Sequence, residues 1–274
     1  MAREDLEVEL RQALDAGDLV LEFQPERRIA GAMGQAGTIR SVEALVRWRH
    51  LARGVIPPEV FLPIAEQTGL IERIGRWVLP QAVAQARAWQ MSDATYQTLS
   101  VAVNLSPREL ARPGLGADVR QILEAHSLEP ATLTLEITEA ALMNDRAVAV
   151  AALTELRAMG ARIALDDCQG GEDIVERLRD VPLDALKLDP AVTSGLGTPA
   201  TDEAVRTLIG AARILGLQTV GEGVETREQL KTLRDHGCDL AQGYLFGKPL
   251  GAAGISSLLR AERRRRSDRG GGVR

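Results

Sequence analysis

The sequence predicts an α/β protein whose strands close into a single barrel. From about residue 99 onward, short apolar runs alternate with stretches of helical periodicity, and with two runs upstream there are eight strand-like runs. The 274 residues are close to the roughly 250 that one such barrel needs. Strands separated by helices of this length imply right-handed crossovers and a parallel sheet covered on both faces.

The first two predicted strands form a hairpin. They are LVLEFQP (19–25) and SVEALVRW (41–48), and the Gly-rich segment IAGAMGQAGTIR joins them. Two helical stretches follow, PPEVFLPIAEQTG and IERIGRWVLPQAVAQARAWQ. The chain is therefore expected to enter the barrel through an antiparallel pair before the regular alternation begins.

The other six strands are predicted by short runs rich in Leu, Ile and Val. These runs are LSVAVNLS (99–106), TLTLEIT (132–138), RIALDD (162–167), ALKLD (185–189), QTVGEGV (218–224) and AQGYLF (241–246). The helices between them include DRAVAVAALTELRAMG and TDEAVRTLIGAARILG, and Gly216 ends the second as a C-cap. No GxGxxG or GxxxxGKS motif follows any of these strands, which argues against a Rossmann or P-loop nucleotide site.

The composition is typical of a soluble protein in a reducing compartment. The formal net charge of -5 provides no broad basic field for nucleic acid. The two cysteines, Cys168 and Cys238, lie far apart, which argues against a disulfide framework or a thiolate metal site. The start, MAREDLEVEL, does not resemble a signal peptide, and no apolar run reaches the roughly 18–20 residues of a membrane span. We therefore expect a cytoplasmic protein with no membrane span and no nucleic-acid partner.

Polar side chains end or interrupt every predicted strand. They are Gln24, Glu43 with Arg47, Asn104, Glu136, Asp166 with Asp167, Lys187, Glu222 and Gln242. The carboxyl ends of the strands form one rim of an α/β barrel, so we expect these side chains to meet there. Five of them are carboxylates, and one lysine cannot offset their repulsion, so the set calls for bound cations.

The residue types restrict which cation such a rim would hold. Oxygen ligands without a His or Cys cluster favour Mg²⁺, Mn²⁺ or Ca²⁺ over zinc. With five acids, two ions about 3.5–4 Å apart are favoured over one, and both aspartates of the Asp166–Asp167 pair can turn toward them at a strand end. Taken singly, Glu136 and Glu222 suit caps or surface ion pairs, and Lys187 suits a solvated lysine. Their common position on successive strands favours a site.

A series of short motifs runs along nearly the whole chain. EALVRW begins at Glu43, and the series extends from FQPE (23–26) to QGYLFGKPL (242–250). The others are VNLS at Val103, LEITE at Leu135, LDD at Leu165, LKLD at Leu186, GEGVET at Gly221 and GCDLAQGY at Gly237. In order and spacing this set resembles the EAL-domain cyclic-di-GMP phosphodiesterases.

The resemblance implies a (β/α)8 TIM-like barrel with an antiparallel first strand, formed by residues 1–262. It implies two Mg²⁺ or Mn²⁺ ions and hydrolysis of cyclic-di-GMP to linear pGpG. The implied metal-site residues are Glu43, Asn104, Glu136 and Asp166 at the first ion, Asp167 and Glu222 at the second, and Gln242 in support. The implied catalytic residues are Glu222, Lys187 and Asp167: Glu222 would hold or deprotonate the attacking water, and Lys187 would orient it or stabilise phosphate charge. The implied substrate contacts are Arg47 to a phosphate, with Gln24, Leu45 and Pro249 seating the dinucleotide.

The match fails in the loop after the paired aspartates. The family has Phe-Gly-Thr-Gly-Tyr-Ser-Ser-Leu there, and this chain has CQGGEDIV (168–175), in which only Gly171 agrees. In the family this loop positions the second metal and the substrate, and the acid equivalent to Glu139 holds it through hydroxyl partners that are missing here. Glu172 and Asp173 could ligate metal or repel the substrate phosphates. Cys168 suits either a small apolar replacement for Phe or a redox-sensitive position.

Two functions therefore remain open. The intact set of acids favours a metal-dependent phosphodiesterase, weakened by the altered loop. The loop itself favours the alternative, a catalytically inactive receptor for cyclic-di-GMP that signals through a protein partner. The resemblance also implies a homodimer and partner domains of the regulatory or diguanylate cyclase type. The Arg-rich end, 263–274, is expected to form a basic tail without regular structure.

Overall fold

A closed ring of strands forms the centre of the molecule. The computed structural model describes residues 3–29, 36–171 and 173–270. Its strands are β1 (Leu19–Ile29), β2 (Ala36–His50), β3 (Gly54–Ile56), β4 (Ser100–Asn104), β5 (Leu133–Thr138), β6 (Arg162–Cys168), β7 (Ala185–Leu188), β8 (Gln218–Gly221) and β9 (Leu240–Ala241). Within these residues, eight strands close the ring in the order β1, β2, β4, β5, β6, β7, β8, β9, and β3 is added to β2 outside it.

The strand directions confirm the predicted barrel. β1 runs antiparallel to both of its neighbours, β2 and β9, whereas every other pair in the ring is parallel. The hairpin between β1 and β2 is longer than predicted, and the middle of its connection, 30–35, lies outside the described residues. The predicted (β/α)8 barrel with an antiparallel first strand is correct.

Helices surround the ring. They are α1 (Arg3–Ala16), α2 (Pro58–Thr68), α3 (Leu70–Ser92), α4 (Pro107–Leu110), α5 (Leu115–His126), α6 (Glu139–Asn144), α7 (Arg146–Ala158), α8 (Ile174–Leu178), α9 (Pro190–Ser194), α10 (Pro199–Leu215), α11 (Arg227–His236) and α12 (Ala252–Gly270). The apolar periodicity of α10 places Val205, Leu208 and Ala212 in the core, and Gly216 ends it in the left-handed conformation, as predicted. Among the described helices, none is both long enough and apolar enough to cross a membrane.

The last strand is much shorter than predicted. β9 ends at Ala241, and the predicted strand residues 242–246 leave the sheet, with a turn closed by the Phe246 N–H donating to the Gly243 carbonyl at 3.0 Å. Gly243 approaches the backbone of Val224 so closely that a Cβ atom would lie 2.2 Å from the Val224 nitrogen. An apolar run alone does not reveal such an approach, so the prediction of a six-residue strand was wrong.

The C-terminal helix α12 extends past the predicted start of the tail. Its residues 263–270 are helical, because arginine is a good helix former and the run contains no breaker before Gly270. Glu262 fixes α12 to the hairpin: its carboxylate accepts from Arg27 at 3.0 Å and from the Ile39 N–H at 3.2 Å. Residues 271–274 lie outside the described part of the chain, and a domain boundary at Glu262 stays a prediction.

Candidate active site

The polar residues of the strands meet inside the carboxyl half of the barrel. Strand register places Gln24 of β1 beside Glu43 of β2, and Asn104 of β4 beside Glu136 of β5. The side chains of Gln24, Glu43, Glu136, Asp166, Lys187, Glu222 and Gln242 are buried, whereas Asn104 and Asp167 are exposed. The structure therefore brings the predicted residues together at one end of the barrel.

Lys187 occupies the centre of this set. Its side chain is 1% exposed, so the alternative of a solvated surface lysine is excluded. Among the described residues its Nζ lies near four carboxylate oxygens, at 2.8 Å from Glu222 Oε1, 2.9 Å from Glu136 Oε1, 3.3 Å from Asp166 Oδ1 and 3.6 Å from Glu43 Oε2. Burial is the largest single influence and lowers the pKa of Lys187, but the four acids together raise it well above its ordinary value. Lys187 is therefore the charged counter-ion of the site.

The acids form two groups that share one member. Within the described residues, oxygens of Glu43, Glu136 and Asp166 all lie within 4.8 Å of one another, and so do oxygens of Asp166, Asp167 and Glu222. Burial raises the pKa of Glu136 and of Glu222 well above the ordinary carboxyl range, which means that a single lysine does not compensate the set. Each group has the spacing of the ligands of one cation.

A bulge in β6 brings both adjacent aspartates to the same place. The pairing of β6 with β7 shifts register between Leu165 and Cys168, and Asp167 adopts φ +53°, a left-handed conformation unusual for a residue other than glycine. Asp166 and Asp167 would point to opposite faces of a regular strand. The bulge removes that alternation, so Asp167 joins the second group together with Asp166 and Glu222.

Two amide side chains hold Glu43 in position. Asn104 Nδ2 donates to Glu43 Oε1 at 2.9 Å, and Gln242 Nε2 donates to Glu43 Oε2 at 2.7 Å. Gln242 Nε2 also lies 3.1 Å from Gln24 Oε1, and Gln24 Nε2 donates weakly to the Gly247 carbonyl at 3.4 Å. The amide nitrogens are thus engaged within the protein, and Gln24 Oε1 is engaged as well, which leaves the amide oxygen of Gln242 for another partner.

The buried oxygens of these side chains fit metal ions. Among the described residues, Glu136 Oε2 and Gln242 Oε1 are buried and have no hydrogen-bond partner. Buried oxygens without partners are costly, and a bound cation relieves that cost. Because every candidate ligand offers oxygen, the site suits a hard divalent cation.

Two of the predicted substrate contacts, Leu45 and Arg47, lie farther along β2 than Glu43. Every second residue of a strand lies on the same face, so one face of β2 carries Glu43, Leu45 and Arg47. Leu45 and Arg47 are half-buried. Arg47 Nε donates to Glu22 Oε2 at 3.0 Å. Pro249 is also half-buried and precedes Leu250, whose backbone exchanges two hydrogen bonds with Phe23.

Sequence reasoning missed Glu26 and Arg177. Glu26 is 5% exposed inside the barrel, and burial raises its pKa. Its two-residue spacing from Gln24 on β1 predicts a shared face and could have identified it. Arg177 binds Glu139 from a distant part of the chain, and no local pattern indicates that contact.

The altered loop contributes no further acid to either group among the described residues. Asp173 is exposed and belongs to neither group, and Glu172 lies outside the described residues. Cys168 is fully buried, and burial raises the pKa of its thiol, as expected of an apolar packing position.

Comparison with known proteins identifies the family. The sequence profile of the EAL domain matches residues 7–249. The chain belongs to the EAL domain family. This EAL domain is 41% identical over 254 residues to the bifunctional diguanylate cyclase/cyclic di-GMP phosphodiesterase MucR of Pseudomonas aeruginosa, an alignment that covers 92% of this chain and 36% of that protein. It is 39% identical over 259 residues to the cyclic di-GMP phosphodiesterase NbdA of the same organism, covering 94% of this chain and 32% of that protein.

Solved structures agree with the EAL barrel described above. The structure titled PaMucR phosphodiesterase, c-di-GMP complex, superimposes with a TM-score of 0.84 at 39% identity, covering 92% of this chain and 99% of that one. The EAL domain spans about a third of the length of the curated relatives that it matches.

Proposed function

We propose that this EAL domain hydrolyses cyclic-di-GMP to linear pGpG with two divalent cations, Mg²⁺ or Mn²⁺. The observation that carries the proposal is that the acids inside the barrel form two groups of three, and that both groups contain Asp166. Two relatives that are named cyclic di-GMP phosphodiesterases, MucR and NbdA, support the choice of substrate. So does the MucR structure, which its title describes as a c-di-GMP complex.

The candidate ligands form two sets, one for each ion. Glu43, Glu136 and Asp166 would hold one cation with help from Asn104 and Gln242, and Asp166, Asp167 and Glu222 would hold the other. When bound, such a pair of ions supplies Lewis-acid charge and lowers the pKa of a coordinated water. The amide groups of Asn104 and Gln242 keep the Glu43 carboxylate in one orientation, because each donates to a different oxygen of it.

Two further side chains would act on the reacting atoms. Glu222 would accept the proton of the attacking water at a carboxylate oxygen, because burial raises the pKa of this carboxyl and so makes its ionised form a stronger base. Lys187 would donate to the phosphate as negative charge develops there, because its ammonium group is fixed in place by surrounding acids. The water oxygen would bond to phosphorus as one ribose oxygen leaves it, and the proton taken from the water would pass to that leaving oxygen. Opening this one phosphodiester bond of the cyclic dinucleotide gives the linear product.

Arg47, Gln24, Leu45 and Pro249 would bind the substrate. We expect Arg47→Met to raise KM for cyclic-di-GMP by roughly 30-fold with little change in kcat, since a charge-assisted hydrogen bond to phosphate contributes about 2 kcal/mol. Steady-state kinetics test this, with Arg40→Met as the control. Arg40 is exposed near the other end of β2, so its loss should leave both constants unchanged. An unchanged KM in Arg47→Met would remove Arg47 from the substrate site.

The central experiment follows product formation directly. Purified protein is incubated with cyclic-di-GMP and Mg²⁺ or Mn²⁺, and pGpG is measured by chromatography beside a Glu43→Gln variant. We expect pGpG from the unchanged chain and none from Glu43→Gln, because the substitution removes a charged ligand at nearly constant size. Tight binding of cyclic-di-GMP without any pGpG would instead support the second candidate, a catalytically inactive receptor, which the altered 168–175 loop favours.

The domain is inferred to act within a longer signalling protein. MucR is named as bifunctional and includes a diguanylate cyclase, and this chain matches only part of it. We infer that a cyclase or regulatory domain accompanies this barrel. The homodimer and the cytoplasmic location stay predictions of the sequence.

A further inference from the structure

The backbone is unusual at Asp167, the second of the paired aspartates, and in the segment that follows it, Cys168–Gly171. Asp167 has φ +53°, Gly170 has φ +90° and Gly171 has φ +118°. The conformation of Asp167 is strained for a residue with a side chain, and such strain persists only where the surroundings hold it. This conformation places Asp167 beside Asp166 and Glu222 in the second group of acids. Contacts that fix the segment therefore also fix the position of Asp167 in that group.

Arg177 contacts the segment from α8. Its Nη2 atom donates to the Gly170 carbonyl at 3.3 Å and lies 3.0 Å from Glu139 Oε1. The backbone of Arg177 is fixed in turn, since Arg146 Nη2 donates to the Arg177 carbonyl at 2.7 Å. Arg177 therefore links the segment to the start of α6, directly after β5, the strand that carries Glu136.

A second contact fixes the beginning of the segment. Gln169 Nε2 donates to Asp189 Oδ2 at 2.8 Å, and the Asp189 N–H donates to the Cys168 carbonyl at 3.1 Å. Asp189 follows β7 two residues after Lys187. Gly170 also packs against Leu208, where an added Cβ would lie 3.2 Å from the leucine side chain.

We propose that Arg177 is a positioning residue for the second group of acids, which consists of Asp166, Asp167 and Glu222. Arg177 holds Gly170 against Glu139. Only Cys168 and Gln169 separate Gly170 from Asp167, so the same contact keeps Asp167 in the strained conformation that faces Asp166 and Glu222. The segment contains no Ser or Thr that could make this attachment itself. The inference rests on the proposed function, since it assigns Arg177 to the second of the two proposed ions.

The test uses the metal-free full chain and Mn²⁺ as the probe. Isothermal titration measures Mn²⁺ binding to the unchanged chain, Arg177→Ala, Arg177→Lys and Arg179→Ala. The last is a matched control: it also removes one positive charge beside α8, but Arg179 is exposed and pairs only with the exposed Glu176 among the described residues. Amide hydrogen exchange of Cys168–Gly171 is followed in the same four proteins.

We expect Arg177→Ala to bind one Mn²⁺ normally and the other about tenfold more weakly or worse, the effect typical of losing a hydrogen bond that supports a metal ligand. Exchange in Cys168–Gly171 should become faster. Arg177→Lys should fall between, because an ammonium group keeps the positive charge but is more strongly hydrated and is carried on a flexible stem. Excess Mn²⁺ should restore kcat of Arg177→Ala, which a folding defect would not allow, and Arg179→Ala should match the unchanged chain.

Other results would overturn the inference. They are unchanged Mn²⁺ affinity with unchanged exchange in Arg177→Ala, or equal weakening of both ions. If Arg177→Ala does not fold, Glu139→Gln decides the question, since it weakens the same link at nearly constant shape and should weaken one ion selectively. If the unchanged chain makes no pGpG, the proposed function fails, but the Mn²⁺ and exchange measurements still decide the role of Arg177.

Discussion

The substitution Asp166→Asn is expected to lower turnover of cyclic-di-GMP by at least about 1,000-fold, well beyond the 10–100-fold usual when only a support of a metal ligand is lost. Asp166 belongs to both groups of acids. Replacing its carboxylate with an uncharged amide therefore weakens the binding of both proposed ions at once. The variant should still fold without metal, because Lys187 keeps Glu43, Glu136 and Glu222 as partners.

Asp167→Asn provides the matched comparison for this prediction. Asp167 belongs only to the second group, so that variant should retain one tightly bound Mn²⁺, whereas Asp166→Asn should retain none. Titration with Mn²⁺ measures the stoichiometry, and thermal unfolding in the presence of a chelator checks that both variants fold. Two tightly bound ions in Asp166→Asn would show that the shared position of Asp166 does not govern metal binding.

The barrel could be predicted from the sequence because its alternation of strands and helices is regular. The prediction failed where tertiary contacts decide. Gly243 directs the chain away from the sheet because of its close approach to Val224, and the three-residue strand Gly54–Ile56 is too short for any periodicity to show. Helix α12 continues past Arg263 because the arginine run that resembles a disordered tail also favours helix.

The position of the candidate site was predictable for a different reason. The carboxyl ends of the strands converge whatever the details of the sequence, so a polar residue at each end was expected to contribute to one site. Local sequence could not indicate the bulge that turns Asp167 toward Asp166, because the register shift depends on the pairing of β6 with β7. The link from Arg177 to Glu139 is likewise a contact between distant parts of the chain.

The central position of Lys187 raises the question of what balances the acids before metal binds. Four carboxylate oxygens of the described residues lie within 3.6 Å of one ammonium group. Removal of one partner from a buried ion pair usually destabilises a protein by about 3–5 kcal/mol, because the remaining charge stays buried and uncompensated. In the metal-free protein Lys187 is therefore a major contributor to the stability of the fold as well as a candidate catalytic group.

Lys187→Met is accordingly expected to lower the free energy of unfolding of the metal-free chain by about 3–5 kcal/mol. Saturating Mn²⁺ should recover much of this loss, since an ion that binds only the folded state at 100 times its Kd contributes about 2.7 kcal/mol. Turnover should nevertheless stay low, because the ions replace Lys187 as counter-charge but do not donate to the phosphate in its place. Denaturant unfolding with and without Mn²⁺, beside the pGpG assay, separates the two roles.

Lys231→Met is the control for this experiment, since Lys231 is exposed and pairs with the exposed Asp235. It should change neither stability nor turnover measurably, because surface ion pairs contribute at most about 1 kcal/mol. If Lys187→Met proved as stable without metal as the unchanged chain, the four acids would not depend on Lys187 for their charge balance. If Mn²⁺ restored turnover together with stability, Lys187 would serve the fold and not the reaction, and the charge developing on the phosphate would have to be stabilised by other groups.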